Sequence, residues 1–176
     1  MKALITLYAK IIDKITEWVG AMAGILVLLT AVAIFIEVVM RGIFNSPTEW
    51  AVEMAVYFVL IAGFLGMPIA YSAGKHINVD IFISHLNPRT KCVLEIFNCI
   101  IAVIFCAIFF NEALGMSLLS LDMNQLSPST LRVPLWIPQM ALPIGMGLLV
   151  LQFLKTILQD ILKVKEGAFA AGEVDK

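Results

Sequence analysis

Charge is scarce in this chain. Of its 176 residues only 14% are Asp, Glu, Lys or Arg, where a soluble domain carries about 25%. Apolar residues make up 61% and the mean hydropathy is +0.96. A net charge of −1 leaves no basic field for nucleic acid. Histidine is nearly absent. His76 and His85 both fall outside the apolar runs, so no histidine is placed to ligate a haem within the membrane. Cysteine is limited to Cys92, Cys99 and Cys106, each seven residues from the next. On a helix that spacing separates neighbours by about 10.5 Å. It excludes a disulfide or a shared metal between them and leaves small packing residues. No P-loop, nucleophile elbow, HExxH or CxxC is present. No catalytic residue, metal ligand or cofactor site is assigned.

What is abundant comes in blocks. Four apolar runs cover about 18–40, 50–73, 92–120 and 134–158. Each reaches the roughly 20 residues that cross a bilayer as a helix. The fold class that follows is an all-α integral membrane protein with four transmembrane helices over residues 1–160. Residues 161–176, small and polar, read as a disordered cytoplasmic tail. The first run is too long for a signal-peptide core, and Glu37 and Arg41 follow it where a small-residue cleavage site would stand.

Lys and Arg set the orientation. Lys2, Lys10 and Lys14 precede the first run. Lys75, Arg89 and Lys91 lie between the second and third. Lys155, Lys163, Lys165 and Lys176 close the chain, and Arg41 and Arg132 alone fall on the other side. Positive charge stays cytoplasmic. Both termini and the middle loop are therefore expected inside, and the hairpins near residues 45 and 125 outside. Membrane lipid is the surrounding partner.

The stretch RGIFNSPTEWAVEM, residues 41–54, concentrates the charge that the runs lack. SPTE reads as a capping box, with Ser46 at N-cap, Pro47 at N1 and Glu49 at N3 of the second helix. Asn45 and Ser46 supply the turn. Trp50 belongs at the headgroup level. Glu37 stands one turn before Arg41, a spacing that favours an ion pair. Arg41 is also within reach of Glu53 across the hairpin. Such a cluster should face protein rather than lipid. With Asp122 and Arg132 it forms a mildly acidic outer rim, a candidate surface for a subunit or a soluble partner.

Elsewhere the polar groups are sparse. Glu95, Asn98, Asn111 and Glu112 lie in the third run and Gln139 in the fourth, with interhelical hydrogen bonding as their expected role. Gly63 and Gly66 are expected to let another helix approach the second, and Pro68 to kink it. Asn87 and Pro88 read as the start of the third helix. Residues 79–86 read as a short interfacial segment capped by Asp80, with Gly74, Lys75 and His76 forming the turn into it.

Three stretches carry a resemblance: EVVMRGIFNSPTEWAVEMAVY, GKHINVDIF and RVPLWIPQMALPIGMGLL. In composition and order they resemble the small, Q-type (DctQ-like) subunit of tripartite ATP-independent periplasmic (TRAP) transporters. The resemblance spans about residues 15–158. It implies a non-catalytic, four-helix subunit of the bacterial inner membrane. It also implies a large multi-helix membrane partner that holds the substrate and sodium sites, and a separate periplasmic substrate-binding protein that delivers a small organic anion. The small subunit is implied to act as a fixed scaffold. Arg41, Asn45, Pro47, Glu49, Trp50 and Glu53 match on the outer side. Gly74, His76, Ile77, Val79 and Asp80 match on the inner side. Pro134, Trp136, Pro138, Leu142, Pro143 and Gly145 match in the fourth helix, where Gln139 replaces an expected aromatic residue. The competing readings are a membrane anchor of a redox complex, which lacks its intramembrane histidines, and a stand-alone small transporter, which lacks polar groups for a path.

Overall fold

The computed structural model describes residues 2–74 and 88–165. Five helices occupy them: α1 (Lys2–Gly42), α2 (Glu49–Gly74), α3 (Pro88–Asp122), the short α4 (Trp136–Gln139) and α5 (Ala141–Lys165). Four stretches are long and apolar enough to cross a membrane: Ile5–Gly42, Glu49–Gly74, Val93–Asp122 and Trp136–Leu162. The four expected spans are therefore present. The segment 79–86, with His76 and Asp80, lies outside the described residues, as do residues 166–176 of the expected tail.

Two spans differ from the apolar runs. The first helix starts at Lys2 rather than near residue 18. Its early charges, Lys10, Asp13, Lys14 and Glu17, fall at helical spacings that continue the turn without a breaker. At 41 residues it is about 60 Å long, twice the hydrocarbon thickness. The fourth span is interrupted at Met140. Pro143 has no N–H to donate to the Gln139 carbonyl, so the helical ladder loses a rung at that point.

Asparagine ends two of the helices. After α3, Asn124 adopts φ 47°. The Gln125 N–H returns to Ser120 O at 2.9 Å and the Asn124 N–H to Leu121 O at 3.1 Å, which is the Schellman pattern. After α1, Asn45 adopts φ 52° and the Ser46 N–H reaches Met40 O at 3.1 Å. Asparagine tolerates this left-handed conformation better than most residues. The chain between α3 and α4 folds back on itself. Ser127 N–H donates to Val133 O at 2.9 Å and Leu135 N–H to Gln125 O at 3.0 Å.

The helices form an open row rather than a closed bundle. α1 packs along α2, α2 along α5, and α5 along α3, with α1 also crossing α5. Small side chains make the α1–α2 seam: Ala23, Thr30 and Ala33 face inward from α1, and Ala51, Ala55 and Ala62 from α2. Helices in lipid associate through such close approaches, because burial from water no longer drives them together. Within the chain, the contacts of α2 do not run through Gly63 and Gly66. A Cβ at Gly63 would meet nothing within 4 Å, and one at Gly66 only the Ala23 methyl at 3.9 Å. The close approaches are at Gly20, where a Cβ would stand 2.9 Å from the Ile69 Cβ, and at Gly145, where one would stand 2.7 Å from the Phe64 carbonyl carbon. Around Gly145, Cys106, Met146 and Leu149 form a core lined by Phe64, Tyr71, Phe109 and Phe153. Cys99 and Cys106 are buried in the packing.

Candidate functional site

The outer end of the α1–α2 hairpin is held by one carboxylate. Glu37, buried, receives Arg41 Nε at 2.9 Å and a second Arg41 nitrogen at 2.5 Å, both on Oε1. Its other oxygen, Oε2, accepts the Thr48 N–H at 2.7 Å and the Thr48 hydroxyl. Glu37 thus neutralises a basic residue on its own helix and caps the helix that follows. The expected capping box is corrected by this arrangement. α2 begins at Glu49, so Thr48 occupies the N-cap position rather than Ser46, and the cap is supplied from α1. The negative charge also sits where the helix dipole favours it.

The other carboxylates of the stretch make different contacts. Arg41 pairs with Glu37, and among the described residues the expected bridge from Arg41 to Glu53 does not form. Glu53 instead accepts the Tyr57 hydroxyl at 2.7 Å on Oε1. Its Oε2 is buried with no hydrogen-bond partner among the described residues. Glu49 accepts the Thr130 hydroxyl at 3.1 Å. Glu49 therefore ties the start of α2 to the loop between α3 and α4. Asn45, Trp50, Asp122 and Arg132 are exposed around this outer end. A groove of about 660 Å³ runs inward from the clasp between α1 and α2, with Glu37 and Arg41 at its outer end and Val52, Val56 and Val59 along its wall. On the inner side, Gly74 closes α2.

A second polar cluster, at the other end, was not foreseen. Gln152 on α5 is fully buried, and its amide donates to Thr16 Oγ1 on α1 at 2.7 Å. Lys155, also buried, pairs with Asp13 and donates to Gln152 Oε1 at 3.3 Å. The Tyr71 hydroxyl donates to Thr156 Oγ1 at 3.1 Å, so α2 joins the seam. The signal in the sequence was the run Gln152, Lys155, Thr156, Gln159 and Asp160. Its spacing of three and four puts one polar stripe on an otherwise apolar helix. Lys155, one of the charges that place this end on the cytoplasmic side, is buried in the seam. The outer clasp and this inner seam do not connect. Between Thr16 and Glu37 α1 runs about 30 Å, and its inward side chains there include Ala23, Thr30 and Ala33.

The family described as tripartite ATP-independent periplasmic transporters, DctQ component, matches residues 30–163. The chain belongs to this family. It is a small, multi-pass membrane subunit of the TRAP type. Three similar proteins bear related names. The sialic acid TRAP transporter permease protein SiaT of Haemophilus influenzae is 30% identical over 112 residues, covering 59% of this chain and 18% of that protein. The isethionate TRAP transporter permease protein DctMQ of Oleidesulfovibrio alaskensis is 27% identical over 116 residues, 66% of this chain and 18% of the other. A putative TRAP transporter small permease protein of Haemophilus influenzae is 27% identical over 78 residues, 44% and 48% of the two chains. The match thus spans under a fifth of the first two relatives. The family match to this DctQ-type subunit takes in the whole outer clasp and the α5 side of the inner seam. It begins after Asp13 and Thr16.

Proposed function

We propose that this DctQ-family subunit is a non-catalytic scaffold. It holds a large multi-helix membrane subunit that carries the substrate and ion sites, and its outer rim helps to dock a periplasmic substrate-binding protein. The observation that carries this reading is the separation of the two polar clusters. Each is occupied in joining helices to one another, and about 30 Å of α1 lies between them, with Ala23, Thr30 and Ala33 on its inward side. A transport path needs polar groups at bilayer depth that line a cavity. The cargo proposed is a small organic anion taken up with a cation, because the named cargoes of two relatives, sialic acid and isethionate, are both anionic. The rim around Asn45, Glu49, Trp50, Glu53, Asp122 and Arg132 would meet the binding protein, with contacts that weaken as salt rises. His76 and Asp80, in the inner loop, would fix the turn after Gly74. In liposomes that also contain the large subunit and the binding protein, uptake should require this chain. Uptake undiminished when it is left out would contradict the scaffold role.

The proposed site is the bacterial inner membrane with both termini cytoplasmic, on the distribution of Lys and Arg. In a cysteine-free background, Ser46→Cys and Thr130→Cys should react with an impermeant thiol reagent from outside, and Ser84→Cys should not. Both outer positions are exposed, whereas Ser127 is buried. Labelling of Ser84→Cys alone in intact cells would invert the orientation.

A further inference from the structure

We propose that the outward face of α3, marked by Asn98, Asn111, Glu112 and Gly115, is the seam against the large membrane subunit, which presents a hydrogen-bond donor or a cation to Glu112. The inference rests on the scaffold reading and assigns its face. In its most apolar 18-residue stretch α3 is only 11% buried, against 39% for the corresponding stretch of the fourth span. Its inward side is Cys99, Cys106, Ala113 and Ser117. Asn98 and Glu112 are two heptads apart on the opposite side, both exposed, with Asn111 and Gly115 beside them.

Depth makes this face unlike the rest of the exposed surface. Glu112 lies ten residues before the end of α3 at Asp122, about 15 Å into the span. The charges exposed on α1, Lys14 and Glu17, precede the apolar run that begins at about residue 18. Asn111 does not relieve Glu112, because its amide is donated to the Ala107 carbonyl at 3.0 Å. Among the described residues, no side chain of this chain pairs with Glu112. Lipid tails offer no donor, and an ionisable group in a membrane span faces protein or a water-filled cavity as a rule. The complement is therefore a neighbouring helix that carries a donor. Open space beside Gly115 lets such a helix come close. A second copy fits less well, since a two-fold seam through this face would set Glu112 against its own symmetry mate.

The test is photo-crosslinking in native membranes that contain the complete transporter. A photoreactive residue at Phe105 or Ile108, on the same face of α3, should capture the large subunit. One at Leu28 or Phe35, exposed on α1 at 68% and 67%, should not. Capture from α1 and not from α3 would sink the inference and leave the scaffold reading standing. No capture of a large membrane protein from any position would sink both. Capture of a second copy from α3 would also overturn it. Glu112→Leu adds a quantitative arm. It removes the partner's acceptor and makes the free subunit more comfortable in lipid, so both effects favour dissociation. Large subunit recovered with a tagged chain should fall by about threefold to tenfold, on the scale of interhelical polar contacts, with Glu112→Gln between the two. Glu112 is exposed, so the chain itself should fold as before. Unchanged recovery with Glu112→Leu would overturn its role.

Discussion

Gly145→Ala should separate α2 from α5 and lower the yield of monodisperse protein sharply. The added Cβ would sit 2.7 Å from the Phe64 carbonyl carbon, against backbone that cannot rotate away. Either the helices part or α5 shifts along its axis. Both disturb the core of Cys106, Met146 and Leu149 that lies on the same seam. Overpacking of this kind costs about 1–3 kcal/mol, and more where backbone must move. Gly63→Ala is the matched control. Open space surrounds that position, so the change should be neutral or slightly stabilising through helix propensity. Thermal unfolding in detergent separates the two. Equal melting of Gly145→Ala and the parent chain would mean that the α2–α5 contact is looser than described.

The second large effect is expected at Glu37. Its two oxygens divide the labour, Oε1 toward Arg41 and Oε2 toward Thr48. Glu37→Ala removes both and leaves the amide of Thr48, just before α2, without its acceptor. Glu37→Gln is isosteric, yet it should fail nearly as badly. Its one oxygen can serve Arg41 or Thr48, and its NH2 group then points a donor at the other donor. Arg41 is 65% exposed at its side chain, so Arg41→Ala should be milder than either. The readout is the amount of assembled subunit in membranes, expected to drop several-fold for both Glu37 variants. Normal assembly of Glu37→Gln would mean that the clasp contributes little.

The parts of this architecture that were legible in the sequence are those fixed by local pattern. Four apolar runs of bilayer length give four spans, and an i, i+4 spacing gives the Glu37–Arg41 pair. Contacts between distant parts of the chain left weaker signs. SPTE reads as a self-contained cap, but Glu37 from the preceding helix takes the Thr48 amide and moves the helix start to Glu49. Gly63 and Gly66 read as small residues that admit a helix of the larger subunit, which the packing within the chain does not test. The buried stripe of α2 within the chain is Ala51, Ala55 and Ala62, and Gly63 faces away from it. The burial of Lys155 is not visible in the charge count, because basic residues flank spans so often. Its stripe partners Gln152 and Thr156 show the inverted pattern of a membrane helix, polar toward protein and apolar toward lipid.

Helix-joining accounts for the polar groups of both clusters, and this leaves none of them to move an ion or a solute. The most direct test is the chain purified alone into liposomes with an imposed sodium or proton gradient. The scaffold reading predicts no gradient-driven uptake of labelled small organic anions above empty liposomes. The predicted uptake appears only when the large subunit and the binding protein are added to the same preparation. Robust gradient-driven uptake by the chain alone would contradict the account.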